Sequence, residues 1–322
     1  MLYYLGRFMN IQQFKYILAV AELRHFEDAS EKCFISQSTL STMIGKFEDE
    51  IGIKIFDRKT KPVTVTREGN KIVEQLHIIL KEIDSLQNIT QELKGEESGE
   101  LKIGIIPTIA PYLMPLFLAE FVNTFPKIQV IVQEMTTSVI QNKLRQRDID
   151  LGIAAIPLED KELLEFHLYD EPFILYDSKK VKQRNKKVEV NEIDFSNLWL
   201  LQEGHCLRTQ VEQICNLSHT QPNRLINLEF KAGSIDSLIR FTRNQKGVTL
   251  LPYLATLDLS KEEQKYLRKF KPPVPIRSVG LVVHKHFVKK KILEEMQIII
   301  KKTVKPLQPK MKTDNKKLIR PI

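Results

Sequence analysis

Between residues 9 and 52 the hydrophobic positions repeat at helical spacing and predict three consecutive helices. The second helix is predicted over residues 27–33, where the small side chain of Ala29 suits a close helix crossing. The third is predicted over about residues 37–50, because Ser36 is a favourable N-cap and Gly52 favours the end of a helix. The apolar faces comprise Phe14, Ile17, Leu18 and Ala21 in the first helix and Leu40, Ile44, Phe47 and Ile51 in the third.

The outward face of the third helix carries mostly short polar side chains, of the kind that reach base edges and phosphates. These residues are Gln37, Ser38, Ser41, Thr42 and Lys46. Residues 53–66 are predicted to form a two-stranded wing, whose tip carries Arg58, Lys59 and Lys61. Three helices followed by a basic wing indicate a winged helix-turn-helix domain over residues 9–67 that binds DNA. The alternative is a three-helix packing motif without DNA, because polar exposed faces are common.

Residues 68–97 are predicted to form a long linker helix, because their apolar residues alternate at spacings of four and three. The apolar seam comprises Ile72, Leu76, Ile79, Ile83, Leu86 and Leu93, and Thr90 takes its one polar position. Such a repeat predicts a two-stranded coiled coil and hence a homodimer. The alternative is an amphipathic helix that packs on its own domain. The stretch GEESGE, residues 95–100, is interpreted as a hinge.

In residues 99–304, apolar runs of strand length alternate with helical stretches. The first set of runs comprises LKIGIIPT, IQVIVQEM and IDLGIAAI, and the second comprises FILYD, LWLLQEG and VTLLP, before a late run SVGLVVH. This alternation predicts a mainly parallel sheet with crossover helices. Two sets predict two α/β subdomains with a ligand-binding cleft between them. The predicted fold class is therefore a multidomain α+β protein with a C-terminal α/β regulatory domain.

The net charge of +9 comes from one end of the chain. Residues 285–322 contain 12 Lys and Arg against three Asp and Glu, and the other 284 residues carry 37 of each sign. Residues 305–322 are interpreted as a basic, disordered tail that aids solubility or adds non-specific affinity for phosphate. No apolar run approaches the roughly 18 residues of a membrane helix, and no secretory signal is recognised. We therefore expect a cytoplasmic protein without a membrane partner.

No nucleotide-binding, metalloprotease or nucleophile-elbow motif is found, so neither an enzyme nor a bound cofactor is expected. Three cysteines are too few for a disulfide scaffold, and any bridge is expected to be functional. Cys206 and Cys215 lie nine positions apart in GHCLRTQVEQIC, a run that favours a helix. A helix would separate their Cα atoms by roughly 13 Å, whereas a disulfide needs about 4.4 to 6.8 Å.

The cysteines have two other interpretations. A zinc site formed by Cys206 and Cys215 with His205 and His219 lacks the short ligand pairs of known zinc sites, so no metal is predicted. Cys33 lies in the helix-turn-helix and is interpreted as a small core residue.

Residues 9–58, from MNIQQ to IKIFDR, resemble the DNA-binding domain of LysR-type transcriptional regulators. That family usually has a proline where this chain has Ser38, and an early proline only pre-organises a helix, so the fold is unaffected. The resemblance begins at Met9 and leaves residues 1–8 as an extension. It implies binding to double-stranded promoter DNA and a regulatory domain of two Rossmann-like subdomains, similar to periplasmic binding proteins.

The segment GHCLRTQVEQIC, with IPTIAPYLMP before it and VTLLP after it, resembles the OxyR peroxide sensors within that family. The resemblance covers about residues 9–300 and implies that Cys206 reacts with hydrogen peroxide and that Cys215 resolves it as a reversible disulfide. By position, the implied sensing pocket comprises Thr108, Thr137, His205, Arg208 and Arg277. The chain departs from the group at Thr209, where an aspartate is frequent, and at Glu229, where some members have histidine.

The same resemblance implies an activator of oxidative-stress defence genes. Its implied partners are promoter DNA, hydrogen peroxide, a second copy through the linker helix, a second dimer to form a homotetramer, and RNA polymerase. One alternative is a LysR-type regulator that responds to a small organic effector in the cleft and has incidental cysteines. A thiol peroxidase is less favoured, because nothing in the sequence indicates a site for a recycling partner.

The implied chemistry is consistent with the residues around the cysteines. Only a thiolate attacks peroxide, and positive charge from Arg208 and His205 is expected to favour it. The sulfenic acid that forms at Cys206 condenses with a nearby thiol. If the segment is helical, Cys215 becomes such a neighbour only after the helix melts, so bridge formation would be the conformational switch.

Overall fold

A computed structural model describes residues 9–93, 97–179, 187–194, 197–202, 204–215, 230–311 and 313–321. Some residues discussed above lie outside this description, namely residues 1–8, His219, Glu229 and the side chain of Leu93. The chain divides into two compact units, residues 1–93 and 94–322. Within the described segments, no helix is both long enough and apolar enough to cross a membrane.

Three helices open the N-terminal unit: α1 (Ile11–Leu23), α2 (Phe26–Lys32) and α3 (Gln37–Ile51). Both predicted ends of α3 are confirmed. Ser36 Oγ accepts a hydrogen bond from the backbone N–H of Thr39, and Gly52 ends the helix with a φ of 70°, which glycine adopts without a steric penalty. The predicted apolar faces meet in one core, in which Ala29 of α2 is fully buried.

The predicted wing is confirmed as an antiparallel pair of β1 (Phe56–Asp57) and β2 (Thr64–Val65). Glu48 of α3 ties this wing to the helix. Its buried carboxylate accepts hydrogen bonds from the backbone N–H groups of Ile55 and Phe56, at 2.8 and 3.1 Å. Because a buried carboxylate needs such partners, the contact fixes the wing relative to α3.

The linker helix α4 spans Arg67–Leu93. Its first half packs on the N-terminal core, where Leu76 is buried and Ile79 lies beside it. Farther along, Ile83 is half-buried and Leu86 is 64% exposed in the single chain. The first half of α4 therefore packs on its own domain, as in the alternative interpretation of the sequence. For the second half, the coiled coil stays a prediction.

The C-terminal unit alternates strands and helices. In chain order these are β3 (Gly99–Ile105), α5 (Ala110–Thr124), β4 (Ile128–Glu134), α6 (Thr137–Arg145), β5 (Leu151–Ile156), β6 (Leu163–Asp177), α7 (Cys206–Ile214), α8 (Ile235–Asn244), β7 (Val248–Pro252), β8 (Leu267–Lys269), β9 (Val274–His284), α9 (Lys290–Val304) and β10 (Lys316–Leu318). The strands lie in the order β4, β3, β5, β9, β6 and β7, with β10 on β9 and β8 on β6. β3 runs parallel to β4 and β5, whereas β9 runs antiparallel to β5 and β6, and β6 runs antiparallel to β7 and β8. The prediction of a mainly parallel sheet is therefore wrong, because the late strand β9 lies antiparallel between β5 and β6.

Two separate hydrophobic cores agree with the predicted pair of α/β subdomains. The first core surrounds β3, β5, α5 and α9, and the second surrounds β7, α7 and α8. The long strand β6 joins them, because its first part pairs with β9 and its last part pairs with β7. The sequence predicted only residues 173–177 of this strand, since charged residues interrupt the apolar pattern before them.

The prediction that residues 305–322 are disordered is wrong for the described part of this tail. Residues 316–318 form β10, which pairs in parallel with residues 274–276 of β9. Ile319 is 5% exposed and belongs to the second core. The sequence did not indicate this strand, because the stretch is rich in charged residues. In this part of the tail only one side chain needs to be apolar, since the others can face solvent or pair with acidic groups.

Candidate functional site

Helix α7 carries two free cysteines at opposite ends. Cys206 is its first residue and Cys215 is its C-cap, so the predicted helix is confirmed and nine residues of helical rise separate the two Cα atoms by roughly 13 Å. Cys206 is buried in the first core, whereas Cys215 is buried in the second. A bridge between them therefore requires α7 to unwind and at least one thiol to leave its core.

Arg277 of β9 is the centre of a buried polar cluster. Its Nε donates to Oε2 of Glu171 at 2.8 Å, and its two Nη atoms donate to the hydroxyl and the carbonyl oxygen of Thr108, at 3.0 and 3.1 Å. Glu171 lies directly opposite on β6, and its Oε1 accepts from the backbone N–H of Leu254 at 2.7 Å. Burial alone would lower the pKa of Arg277, but Glu171 and the thiolate form of Cys206 raise it, so the guanidinium stays charged.

Opposing influences act on the thiol of Cys206. Burial raises its pKa above the ordinary value, while the charge of Arg277, the hydroxyl of Thr137 and the backbone N–H groups of Cys206 and Leu207 act to lower it. These N–H groups lie at the start of α7, where backbone donors lack helical partners and favour an anion. The net pKa is raised, so the thiol is mainly protonated at neutral pH and its thiolate is stabilised by groups that are already in place.

Thr137 is the first residue of α6 and is buried beside this thiol. Among the described residues, its hydroxyl has no hydrogen-bond partner of ordinary geometry. Its effect on the pKa of Cys206 therefore comes from a contact that is longer or less well aligned than a full hydrogen bond. The hydroxyl is available to donate to a thiolate or to an oxygen atom bound next to the sulfur.

The prediction that Arg208 and His205 supply the positive charge beside the thiol is wrong: the charge comes from Arg277. His205 is the N-cap of α7, and burial holds its pKa below the ordinary value, so it is neutral at pH 7. Arg208 donates from Nε to Glu212 at 2.9 Å and from Nη1 to the carbonyl oxygen of Leu201 at 3.3 Å. Sequence adjacency misled here, because successive residues of a helix point in different directions.

Cys215 lies in a different electrostatic environment. Burial, with a further contribution from the negative charge of Glu212, raises the pKa of its thiol to about 12. In the helical state it is therefore a protonated thiol, and it becomes reactive only after it leaves the second core.

Sequence reasoning missed Glu171, which fixes the position of Arg277. The only sequence signal for Glu171 is its acidic side chain just before the apolar run PFILY, in the stretch YDEPFILYD. A charged residue in a buried strand indicates a buried partner, but the partner lies 106 positions away and becomes its neighbour only through the β6–β9 register.

The second candidate site is the exposed face of α3 with the wing. Gln37, Ser38, Thr42 and Lys46 are exposed and Ser41 is half-buried, while Lys59 and Lys61 are exposed in the wing loop. Arg58, predicted at the wing tip, contacts residues of α2 and α3. Its Nη1 donates to Ser41 Oγ at 2.8 Å, its guanidinium lies over the ring of Phe26 at 5.0 Å, and it pairs with Glu48. It therefore braces the wing against α3.

The described residues contain no cluster of three or more His, Cys, Asp and Glu side chains that could hold a metal ion. The zinc alternative includes His219, which lies outside them.

Comparison with known proteins identifies the class of this chain. Residues 11–70 match the bacterial regulatory helix-turn-helix domain of the lysR family, and residues 94–296 match the LysR substrate binding domain. The chain therefore belongs to the LysR family of bacterial transcription regulators.

Within this family, the predicted similarity to OxyR is confirmed. The chain is 33% identical to the hydrogen peroxide-inducible genes activator of Escherichia coli O157:H7, over 85% of this chain and 89% of the relative. A full-length OxyR variant from Pseudomonas aeruginosa has 31% identity and a TM-score of 0.69, over 91% of this chain and 98% of that one. A hydrogen peroxide-bound OxyR variant from Corynebacterium glutamicum has 25% identity and a TM-score of 0.58, over 92% and 93%.

Proposed function

We propose that this chain is a cytoplasmic, DNA-binding transcription regulator that senses hydrogen peroxide and activates oxidative-stress defence genes. The signal is a reversible disulfide between Cys206 and Cys215. The observation that carries this proposal is the position of Cys206 at the start of α7, next to the charge of Arg277 and to the Thr137 hydroxyl, which has no other hydrogen-bond partner among the described residues. The similarity to proteins named as hydrogen peroxide-inducible activators supports it.

The proposed reaction has two steps. The thiolate of Cys206 attacks one oxygen of hydrogen peroxide, which breaks the O–O bond, leaves a sulfenic acid on Cys206 and releases hydroxide that takes up a proton to become water. The Cys215 sulfur, on loss of its proton, then attacks the sulfenic sulfur, and the second oxygen leaves as water. Together, two thiols lose two electrons and two protons, and one peroxide becomes two water molecules.

Arg277, Thr137, Thr108 and His205 have proposed parts in the first step, whereas Arg208 has a structural part. Arg277 stabilises the thiolate, and the Thr137 hydroxyl donates to the sulfur or to a peroxide oxygen. Thr108 is held by Arg277 and can accept or donate at the same place. His205, neutral at pH 7, can relay a proton to the leaving oxygen, and Arg208 stabilises α7 through Glu212.

The second step is the switch. Closing a loop of about ten residues restricts the unwound chain by an amount equal to roughly 2 to 3 kcal/mol. That is comparable to the stability of a short helix, so redox chemistry can exchange a helical and a bridged form of residues 206–215. The change reaches both cores, because the two cysteines belong to different ones.

For DNA recognition, we propose that the exposed part of α3 enters the major groove and that Lys59 and Lys61 contact phosphates. Gln37, Ser38, Ser41, Thr42 and Lys46 are the proposed contacts on α3. Arg58 holds the wing in place, with its guanidinium shared between Ser41 and Glu48.

For assembly, the exposed second half of α4 is the proposed dimer seam, and the regulatory domains are proposed to join two dimers into a tetramer. A leucine as exposed as Leu86 on a long helix favours a partner helix. RNA polymerase is a proposed partner of the active form.

A second candidate function is a regulator that binds a small organic effector in the regulatory domain. The raised pKa values of both α7 thiols favour it, because protonated thiols react slowly with peroxide. In such a protein the cysteines would be core residues only.

Mass spectrometry after treatment with micromolar hydrogen peroxide tests the proposal. The native chain should form a Cys206–Cys215 bridge that a dithiol reverses, and Cys206→Ser should lose all response. Cys215→Ser should stop at a sulfenic or overoxidised Cys206, because the resolving thiol is missing. Cys33→Ser is the control and should behave as the native chain. A native Cys206 that stays reduced would leave the effector-binding regulator as the remaining candidate.

A further inference from the structure

The C-terminal tail contacts the redox helix at the residues that must move. Gln210, in the middle of α7, is fully buried, and its Nε2 donates to the backbone carbonyl of Ile319 at 2.9 Å. The side chain of Ile319 packs in the second core together with Val211, Ile214 and Cys215 of the helix. The tail therefore supplies a hydrogen-bond acceptor for α7 and contributes Ile319 to the core that α7 also joins.

The end of the helix and the tail also share a pocket. Ile214, Cys215 and Lys317 line a pocket of about 510 Å³, together with side chains between residues 189 and 193 and with residues 271–273, which precede β9. Cys215, the proposed resolving cysteine, and Lys317 of β10 thus line the same open space.

The tail itself is held by several independent contacts. β10 pairs with residues 274–276 of β9, and the backbone N–H of Ile319 donates to the carbonyl of Ile276 at 2.8 Å. Lys316 Nζ pairs with Asp170 at 2.8 Å, and Arg320 pairs with Glu159. The paired segment of β9 ends immediately before Arg277, so the tail borders the strand that positions the sensing arginine.

We propose that residues 316–320 form a latch that holds α7 in its helical, reduced form and is released when the Cys206–Cys215 bridge forms. An unwound α7 cannot keep Gln210 in register with the Ile319 carbonyl, and it removes helix side chains from the core to which Ile319 belongs. By linkage, a contact made only in the helical form must oppose the bridge, and the bridge must weaken the contact. The latch therefore sets how readily the sensor oxidises.

This inference rests on the proposed disulfide, but part of it can be measured without any oxidation. Ile319→Gln should loosen the latch, and Leu318→Gln is the matched control, because Leu318 is the preceding residue and is 45% exposed. In the fully reduced full-length protein, hydrogen exchange of the α7 amides should become faster by on the order of tenfold in Ile319→Gln, since burial of one isoleucine is worth at least that factor. The exchange rates of Leu318→Gln should match those of the native chain.

In the redox cycle, Ile319→Gln should shift the dithiol–disulfide equilibrium toward the bridge. A tenfold change corresponds to a reduction potential about 30 mV more negative. In a Cys215→Ser background, the rate of sulfenic acid formation should be the same with and without Ile319→Gln, because the latch opposes unwinding and not the attack on peroxide. In the native chain, oxidation should remove exchange protection from the amide of Ile319.

Three results would overturn the latch: unchanged α7 exchange in reduced Ile319→Gln, an equal effect of Leu318→Gln, or an Ile319 amide that stays protected in the bridged native chain. Lys316→Met removes the ion pair with Asp170 without altering a core position, and it replaces Ile319→Gln if that variant does not fold. It should also speed α7 exchange in the reduced protein and shift the equilibrium toward the bridge, and no change in either would overturn the latch. A native chain that forms no bridge would contradict the proposed function, whereas the exchange of the reduced variants would still test whether the tail holds α7.

Discussion

The part played by Thr137 leads to a quantitative prediction. Thr137→Val removes the hydroxyl but nearly preserves the volume of the side chain. Because the hydroxyl has no hydrogen-bond partner of ordinary geometry among the described residues, the change should hardly alter the free energy of unfolding. It should instead raise the pKa of Cys206, since the hydroxyl is among the groups that stabilise the thiolate.

The size of the effect follows from the contact. A hydrogen bond to a charged group contributes about 1.5 to 3 kcal/mol, and the imperfect geometry at Thr137 places this one at or below the lower end. Loss of about 1.4 kcal/mol of stabilisation of the thiolate should raise the pKa of Cys206 further, and this free energy is equivalent to a tenfold change in an equilibrium constant. Below the pKa, the thiolate fraction and the rate of reaction with peroxide should then fall by about tenfold.

The measurement is the rate of alkylation of Cys206 as a function of pH, in protein that carries Cys33→Ser and Cys215→Ser. Thr136→Val is the matched control, because Thr136 is the preceding residue and its hydroxyl lies 3.3 Å from that of Ser138. An unchanged midpoint in Thr137→Val, or the same shift in Thr136→Val, would refute the assigned contact with the thiolate.

Two further predictions concern DNA binding and assembly. Gln37→Ala should weaken binding to a specific site by about 1 to 3 kcal/mol and hardly affect binding to random DNA. Lys59→Ala should weaken binding to both DNAs and reduce by about one the slope of the logarithm of the binding constant against the logarithm of the salt concentration. Binding titrations at several salt concentrations measure both effects. Equal losses on both DNAs for Gln37→Ala would remove it from base recognition. Ile83→Asp with Leu86→Asp should give monomers in sedimentation at micromolar concentration, because charges in the seam oppose pairing of two helices; a variant that stays dimeric would exclude α4 as the seam. These positions test the seam better than Ile79, which packs in the core of its own domain.

The local features of this protein were readable from the sequence. The caps at Ser36 and Gly52, the wing and the helix between the two cysteines depend on short-range preferences and periodicity, which act within a few residues. The expected strand in LWLLQEG was only partly right, since the structure has isolated bridges at Leu198 and Leu201. There the apolar pattern indicated burial but could not indicate whether a neighbouring strand would be in register.

The electrostatic and long-range features were decided by the tertiary structure. The charge beside Cys206 belongs to Arg277, not to the neighbouring Arg208, because the register of β6 against β9 and the position of α7 determine which cation reaches the sulfur. Similarly, the tail was predicted to be disordered because its sequence is rich in charged residues. Ile319 is nevertheless held in place by distant groups: its N–H donates to the carbonyl of Ile276 on β9, and its carbonyl accepts from the side-chain amide of Gln210 on α7. A sequence specifies which groups can interact, but the free energy of a buried pair depends on which groups the fold brings within a few ångströms.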